Sequence, residues 1–287
     1  MNAQSAFSLV AVFYSVANLG SMGLEINLHE TLKSLRSVRV VALALGWSWL
    51  VGPAFAVLLT KLLPMSEPYA TGLLIFSLAP TAPALPLFIR KARADMSLAA
   101  AIMPLAVVST VILMPLLAPR LIPGLTLSSW AIGKPLLLTV LLPLVIGVGI
   151  KVKAPRVADK IFPVVKKIAG ISTLLLLGFV VFLQWRELVS ALGSFGIAAQ
   201  VLFIVGMALV SYTFGFGLNQ AQCSAMALGV CTRNGSAMLV AITAFPNLDP
   251  NLLAMILLAV PVPLVVWLAL SKLFASRASD TSASCAP

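Results

Sequence analysis

Cys231-Thr232-Arg233-Asn234-Gly235-Ser236 puts a guanidinium, an amide and two hydroxyls into one short stretch of an apolar run. Arg233 is the sole charged residue between Glu187 and Asp249. A guanidinium keeps its proton at ordinary pH. Its planar fork of N–H donors matches carboxylate, sulfonate or phosphate. At the centre of a bilayer such a charge costs about 2.5–3.5 kcal/mol on insertion scales, so it needs a partner or a wet cavity. The eight acids are Glu25, Glu30, Glu67, Asp95, Asp159, Glu187, Asp249 and Asp280. All fall at expected helix ends or in loops, so none is expected beside Arg233. Free backbone carbonyls or an anion should partner it instead.

A second unusual stretch is Ala79-Pro80-Thr81-Ala82-Pro83-Ala84-Leu85-Pro86. Each proline removes a backbone donor and clashes with the preceding turn. The run should therefore unwind its helix near mid-membrane, and Asn234-Gly235-Ser236 should interrupt another. Non-helical backbone at that depth survives only inside protein or beside a water-filled cavity. Interrupted segments at matching positions of two halves point to a transporter site. The expected substrate-binding residues are Arg233, Asn234, Thr232, Thr81 and Ser236. Half-helix N-termini near Pro86–Leu87 and Gly235–Ser236 would add partial positive charge for an anion.

The elements that must position these groups follow from composition. The 287 residues are 61% hydrophobic and 9% charged, against about 25% charged in soluble domains. Mean hydropathy is +1.08. The chain reads as an all-α polytopic membrane protein. At about 20 apolar residues per span, nine segments emerge: 6–24, 38–63, 69–89, 96–117, 130–150, 162–185, 197–219, 223–245 and 252–274. The first residues lack a basic n-region, so 2–21 reads as a retained helix rather than a cleaved signal.

The net charge of +11 would suggest nucleic acid in a soluble protein. Here the basic residues cluster in short loops, and no nucleic-acid motif accompanies them. Lys33, Arg36, Arg39, Arg90, Lys91, Arg93, Lys151, Lys153, Arg156, Lys160, Lys166, Lys167, Lys272 and Arg277 fall on one side. Lys61, Arg120, Lys134 and Arg186 fall on the other. The richer side should be cytoplasmic, with the N-terminus outside, the C-terminus inside and a bacterial inner membrane as the setting. Cys223, Cys231, Cys285 and the single histidine, His29, lack metal-ligand spacing. No Ser–His pair, Cys–His pair or paired aspartate lies in a span, which argues against an intramembrane enzyme. No cofactor is expected.

On these motifs the chain resembles the bile acid:sodium symporter family over nearly its whole length. Gly23-Leu24-Glu25 is similar to the family's Gly-Leu loop. The Ala-Pro start of the broken third helix, continuing through Ala92-Arg93-Ala94-Asp95, resembles its Pro-Gly-Gly segment. Val230 to Ala237 is similar to the family's Glu-Val-Gly-Met-Gln-Asn-Ser-Gly segment, in register from its valine at Val230. The resemblance implies two inverted repeats with two crossing discontinuous helices. It also implies panel helices near 6–24, 130–150 and 162–185 facing core helices near 38–117 and 197–274. Its substrates are organic anions. Some relatives have ten helices; this chain, at nine, resembles those lacking the first.

The departures concern sodium. The family's glutamate falls on Gly229 and its glutamine on Arg233. Its Ser-Asn ligand pair falls on Leu85 and Pro86, its next Ser and Thr on Ala99 and Met103, and another glutamine near Ser48. These side chains, Ser48 apart, offer no hard oxygen donor. The expectation is a small-organic-anion transporter with sodium coupling weakened or lost, Arg233 supplying the fixed positive charge. The alternatives are ordinary sodium symport, with Asn234, Ser109, Thr110, Ser48, Thr81 and backbone carbonyls as ligands, or a non-transporting membrane sensor. Serine and threonine commonly bond back to their own helix, which is the plainer reading of Ser109 and Thr110.

Overall fold

The computed structural model describes residues 3–26, 28–122, 127–183, 185–245 and 248–278. Asp280 and Cys285, named above, lie outside them. Among the described residues every element is a helix, apart from one isolated backbone bridge. We number them α1 (Ala3–Glu25), α2 (Leu28–Leu35), α3 (Val38–Leu62), α4 (Glu67–Ser77), α5 (Leu85–Ala92), α6 (Met96–Leu121), α7 (Ser129–Lys153), α8 (Pro155–Leu183), α9 (Trp185–Ser190), α10 (Gly196–Thr213), α11 (Gln220–Cys231), α12 (Gly235–Ile242), α13 (Pro250–Leu258) and α14 (Pro261–Ala278). Among the described residues five stretches are long and apolar enough to cross a membrane: α3, α6, α7, α10 and the α13–α14 pair.

Proline placement explains most local irregularity. Pro53 and Pro143 each follow a π-helical turn, Gly46–Val51 in α3 and Leu137–Leu141 in α7. A proline cannot donate to the turn before it, and a widened turn absorbs the clash. The expected third helix is two helices, α4 and α5. Pro86 sits in the first turn of α5, where a missing N–H costs nothing. The expected last helix divides before Pro261 into α13 and α14.

Several boundaries differ from the sequence reading. The segment expected at 162–185 starts earlier, at Pro155. Asn219, expected to end the span at 197–219, instead forms a capping box with Gln222 at the start of α11, each side chain bonding the other's backbone N–H. The loop before the second span holds α2, whose Thr31 hydroxyl donates to Ala100 O on α6 at 3.1 Å.

α1 packs along α7 and α8. The α1–α7 seam depends on glycine. A Cβ on Gly23 would lie 2.4 Å from Leu144 O, and one on Gly147 would lie 2.6 Å from Gly20 O. Small residues permit this backbone approach in apolar surroundings.

Polar links gather the basic loops at one end of the molecule. Arg39 donates to Gly217 O, Asp95 N to Ala221 O and Gln220 to Arg277 O. Glu25 pairs there with Arg90 and Lys166. At the opposite end the starts of α4, α10 and α13 meet around Tyr69, Gly196 and Asn251.

Candidate functional site

Two broken segments cross with their backbones antiparallel. Thr81 N donates to Thr232 O at 2.8 Å, and Asn234 N donates to Ala79 O at 2.8 Å. Pro80 and Arg233 therefore face each other across an isolated bridge. The short extended stretches satisfy backbone groups that no helix serves at this depth, as an apolar setting demands.

The two threonines tie the crossing together. Thr81 is left-handed, with φ +65°, an uncommon conformation for a β-branched residue. Its hydroxyl donates to Gly229 O at 2.8 Å, near the end of α11. The Thr232 hydroxyl accepts from Ala82 N at 3.3 Å and donates to the same Gly229 carbonyl at 3.3 Å. Carbonyls in a helix's last turn lack intrahelical partners, and the threonines supply donors there.

Asn234 is the N-cap of α12. Its Oδ1 accepts from Ala237 N at 3.2 Å, and its buried Nδ2 has no partner among the described residues. Ser236 follows in the first turn beside Tyr14 of α1, and its buried hydroxyl has no hydrogen-bond partner among the described residues. Gly235 sits beneath that tyrosine, where an added Cβ would lie 3.4 Å from the hydroxyl oxygen.

Arg233 is 1% exposed, the largest fully buried side chain among the described residues. Its Nη1 donates to Ser77 O at 3.2 Å. That carbonyl ends α4, so the guanidinium lies at the negative end of a half-helix. The Phe203 ring lies 4.6 Å from the guanidinium carbon and the Phe76 ring 5.8 Å, within cation–π range. Phe55 stacks on Phe203 from α3, and Gly206 leaves room for it. Nε and Nη2 have no partner among the described residues, and no carboxylate pairs with Arg233 there.

The structure thus brings Thr81, Thr232, Arg233, Asn234 and Ser236 to one crossing. It divides the suggested ion ligands: Thr81 and Asn234 lie at the crossing, Ser48 on α3, and Ser109 and Thr110 on α6. Ser109 accepts from Trp49 Nε1 at 2.9 Å and donates to Ala106 O at 3.0 Å. Thr110 donates to Ala106 O at 2.7 Å. Ser48 and Ser109 border one narrow gap between α3 and α6.

A cavity of about 270 Å³ opens between α1, α5 and α8. Asn18, Pro83, Ala84, Leu87 and Thr173 line its walls, with Glu25, Arg90 and Lys166 also bordering it. None of the five expected substrate-binding residues lines this cavity, but Pro83 and the Pro86–Leu87 half-helix start do. Arg90 and Lys166 were legible there only as loop charges fixing orientation, and Tyr14 as one apolar-helix residue among many.

The Sodium Bile acid symporter family model matches residues 16–192. That range is narrower than the near whole-chain resemblance of the motifs. It takes in Thr81 and ends before Arg233. No curated protein matches the chain.

Proposed function

The chain belongs to the sodium bile acid symporter family, whose members are secondary transporters, and on that premise we propose that it carries a small organic anion with Arg233 in place of a bound cation. One observation carries the reading: a buried guanidinium lies against the Ser77 carbonyl at the crossing, with no carboxylate partner among the described residues. Carbonyl oxygens at the end of a half-helix favour positive charge. A covalently attached cation supplies that charge in every turn of the cycle, which removes the need for a sodium ion at this point.

The crossing also holds donors for an anion. α12 begins there at Gly235, and Asn234 Nδ2 is buried without a partner among the described residues. Helix N-termini stabilise carboxylate and related groups. In this reading the basic end faces the cytoplasm of a bacterial cell, with the N-terminus outside and the C-terminus inside.

Uptake of labelled small carboxylates and sulfonates into proteoliposomes tests the reading, with sodium replaced by choline or potassium. Uptake that persists without sodium supports a resident cation. Collapse of uptake without sodium makes the chain a conventional symporter. Binding without flux makes it a membrane sensor.

A further inference from the structure

We propose that Arg90 and Lys166 form a carboxylate-binding site at the mouth of the cavity between α1, α5 and α8, and that the Glu25 carboxylate fills it when no ligand is bound. The three residues come from three elements. Glu25 ends α1, Arg90 lies in the last turn of α5, and Lys166 lies on α8. A single oxygen, Glu25 Oε1, accepts from Arg90 Nη2 at 3.1 Å and lies 3.6 Å from Lys166 Nζ. Two cations thus share one anion, and the group keeps an excess positive charge.

Exposure decides which partner can be exchanged. The Arg90 and Lys166 side chains are 63% and 54% exposed, while Glu25 is 25% exposed beneath them. An incoming anion reaches the cations directly. Exposed ion pairs contribute little net stability, so Glu25 gives way to another carboxylate at small cost. Arg90 has five N–H donors and suits a bidentate acid group. Met22, Pro83, Pro86 and Leu87 provide apolar wall for the body of the ligand, and about 270 Å³ accommodates a small one. The ligand class is a small apolar-bodied carboxylate.

The site extends the organic-anion reading to the acid group of the substrate, and equilibrium binding tests it apart from flux. The probe is benzoate, titrated into the purified full chain in neutral detergent and followed by ligand-observed NMR. Benzamide is the uncharged control, and the absence of anionic lipid removes headgroups as competitors. Benzoate should bind and benzamide should not.

Removing an internal competitor raises apparent affinity by the reciprocal of the fraction of sites it had left open. Glu25→Gln should therefore tighten benzoate about threefold to tenfold, as displacing weak exposed pairs implies. Glu25→Asp, which keeps the charge on a shorter arm, should tighten it less and serves if the first variant folds poorly. In the Glu25→Gln background, Arg90→Gln and Lys166→Gln should each weaken benzoate at least about fivefold, and Arg90→Lys by less. Unchanged or weaker binding in both Glu25 variants overturns the proposal. So does loss of benzoate binding in Arg233→Gln, because that result moves the site to the crossing.

Discussion

Arg233 reaches across the crossing to Ser77, donating from Nη1 to the terminal carbonyl of α4 at 3.2 Å. A cation therefore sits where a half-helix presents its negative end, enclosed by Phe203 and Phe76. Of the two partners expected from sequence, backbone carbonyls or an anion, the side chain engages the backbone of the protein itself. Its charge reaches the neighbouring N-terminus of α12 through a medium of low dielectric, where fields are felt more strongly than in water.

Replacing that charge should be expensive for transport. Arg233→Gln is expected to lower proteoliposome uptake about tenfold, the scale of one lost charge contact of ~1.4 kcal/mol. Arg233→Lys should recover part of the rate, since an ammonium keeps the charge and loses the planar fork. Equal uptake by wild type and both variants would leave Arg233 a packing residue.

Thr81→Val tests the threonine tie. The isosteric change keeps the β-branched shape at φ +65° and removes the hydroxyl that donates to Gly229 O. A lost hydrogen bond of this kind costs about 1 kcal/mol, read as a lower thermal midpoint in detergent. An unchanged midpoint would mean that the Thr232 hydroxyl alone suffices for that carbonyl.

Gly23→Val tests the α1–α7 seam. Even the first added carbon would meet Leu144 O at 2.4 Å, which is backbone and cannot swing aside. Overpacking of this kind costs about 1–3 kcal/mol. The variant should show a lower midpoint and reduced uptake. Gly149→Ala, where an added Cβ meets nothing within 4 Å, should behave as wild type.

Ser109→Ala separates an ion ligand from a structural hydroxyl. Trp49 Nε1 loses its acceptor at 2.9 Å, so stability should fall by about 1 kcal/mol. The dependence of uptake on sodium should stay as it is in the wild type. A change in that dependence would return Ser109 to the ion path.

Much of the fold was legible locally. Nineteen prolines and a 61% hydrophobic composition mark helices and their interruptions because each proline acts on its own preceding turn. Pro80, Pro83 and Pro86 announced the break between α4 and α5, and Asn234-Gly235 the one between α11 and α12. The π turns before Pro53 and Pro143 were missed, since helix periodicity barely changes when one turn widens. Helix α2 was missed because its charged residues read as loop.

The site divides in the same way. Sequence by itself determined that an unpaired arginine lies in an apolar run beside a helix break, because residue type and neighbours settle that. It also determined that two such breaks exist. Only the tertiary structure decided that they meet, with Pro80 opposite Arg233, and that Arg233 bonds a carbonyl 156 residues away. It likewise decided that Glu25, Arg90 and Lys166 converge on one cavity. Contacts between distant segments depend on how whole helices pack, and no local pattern of residues encodes that packing on its own.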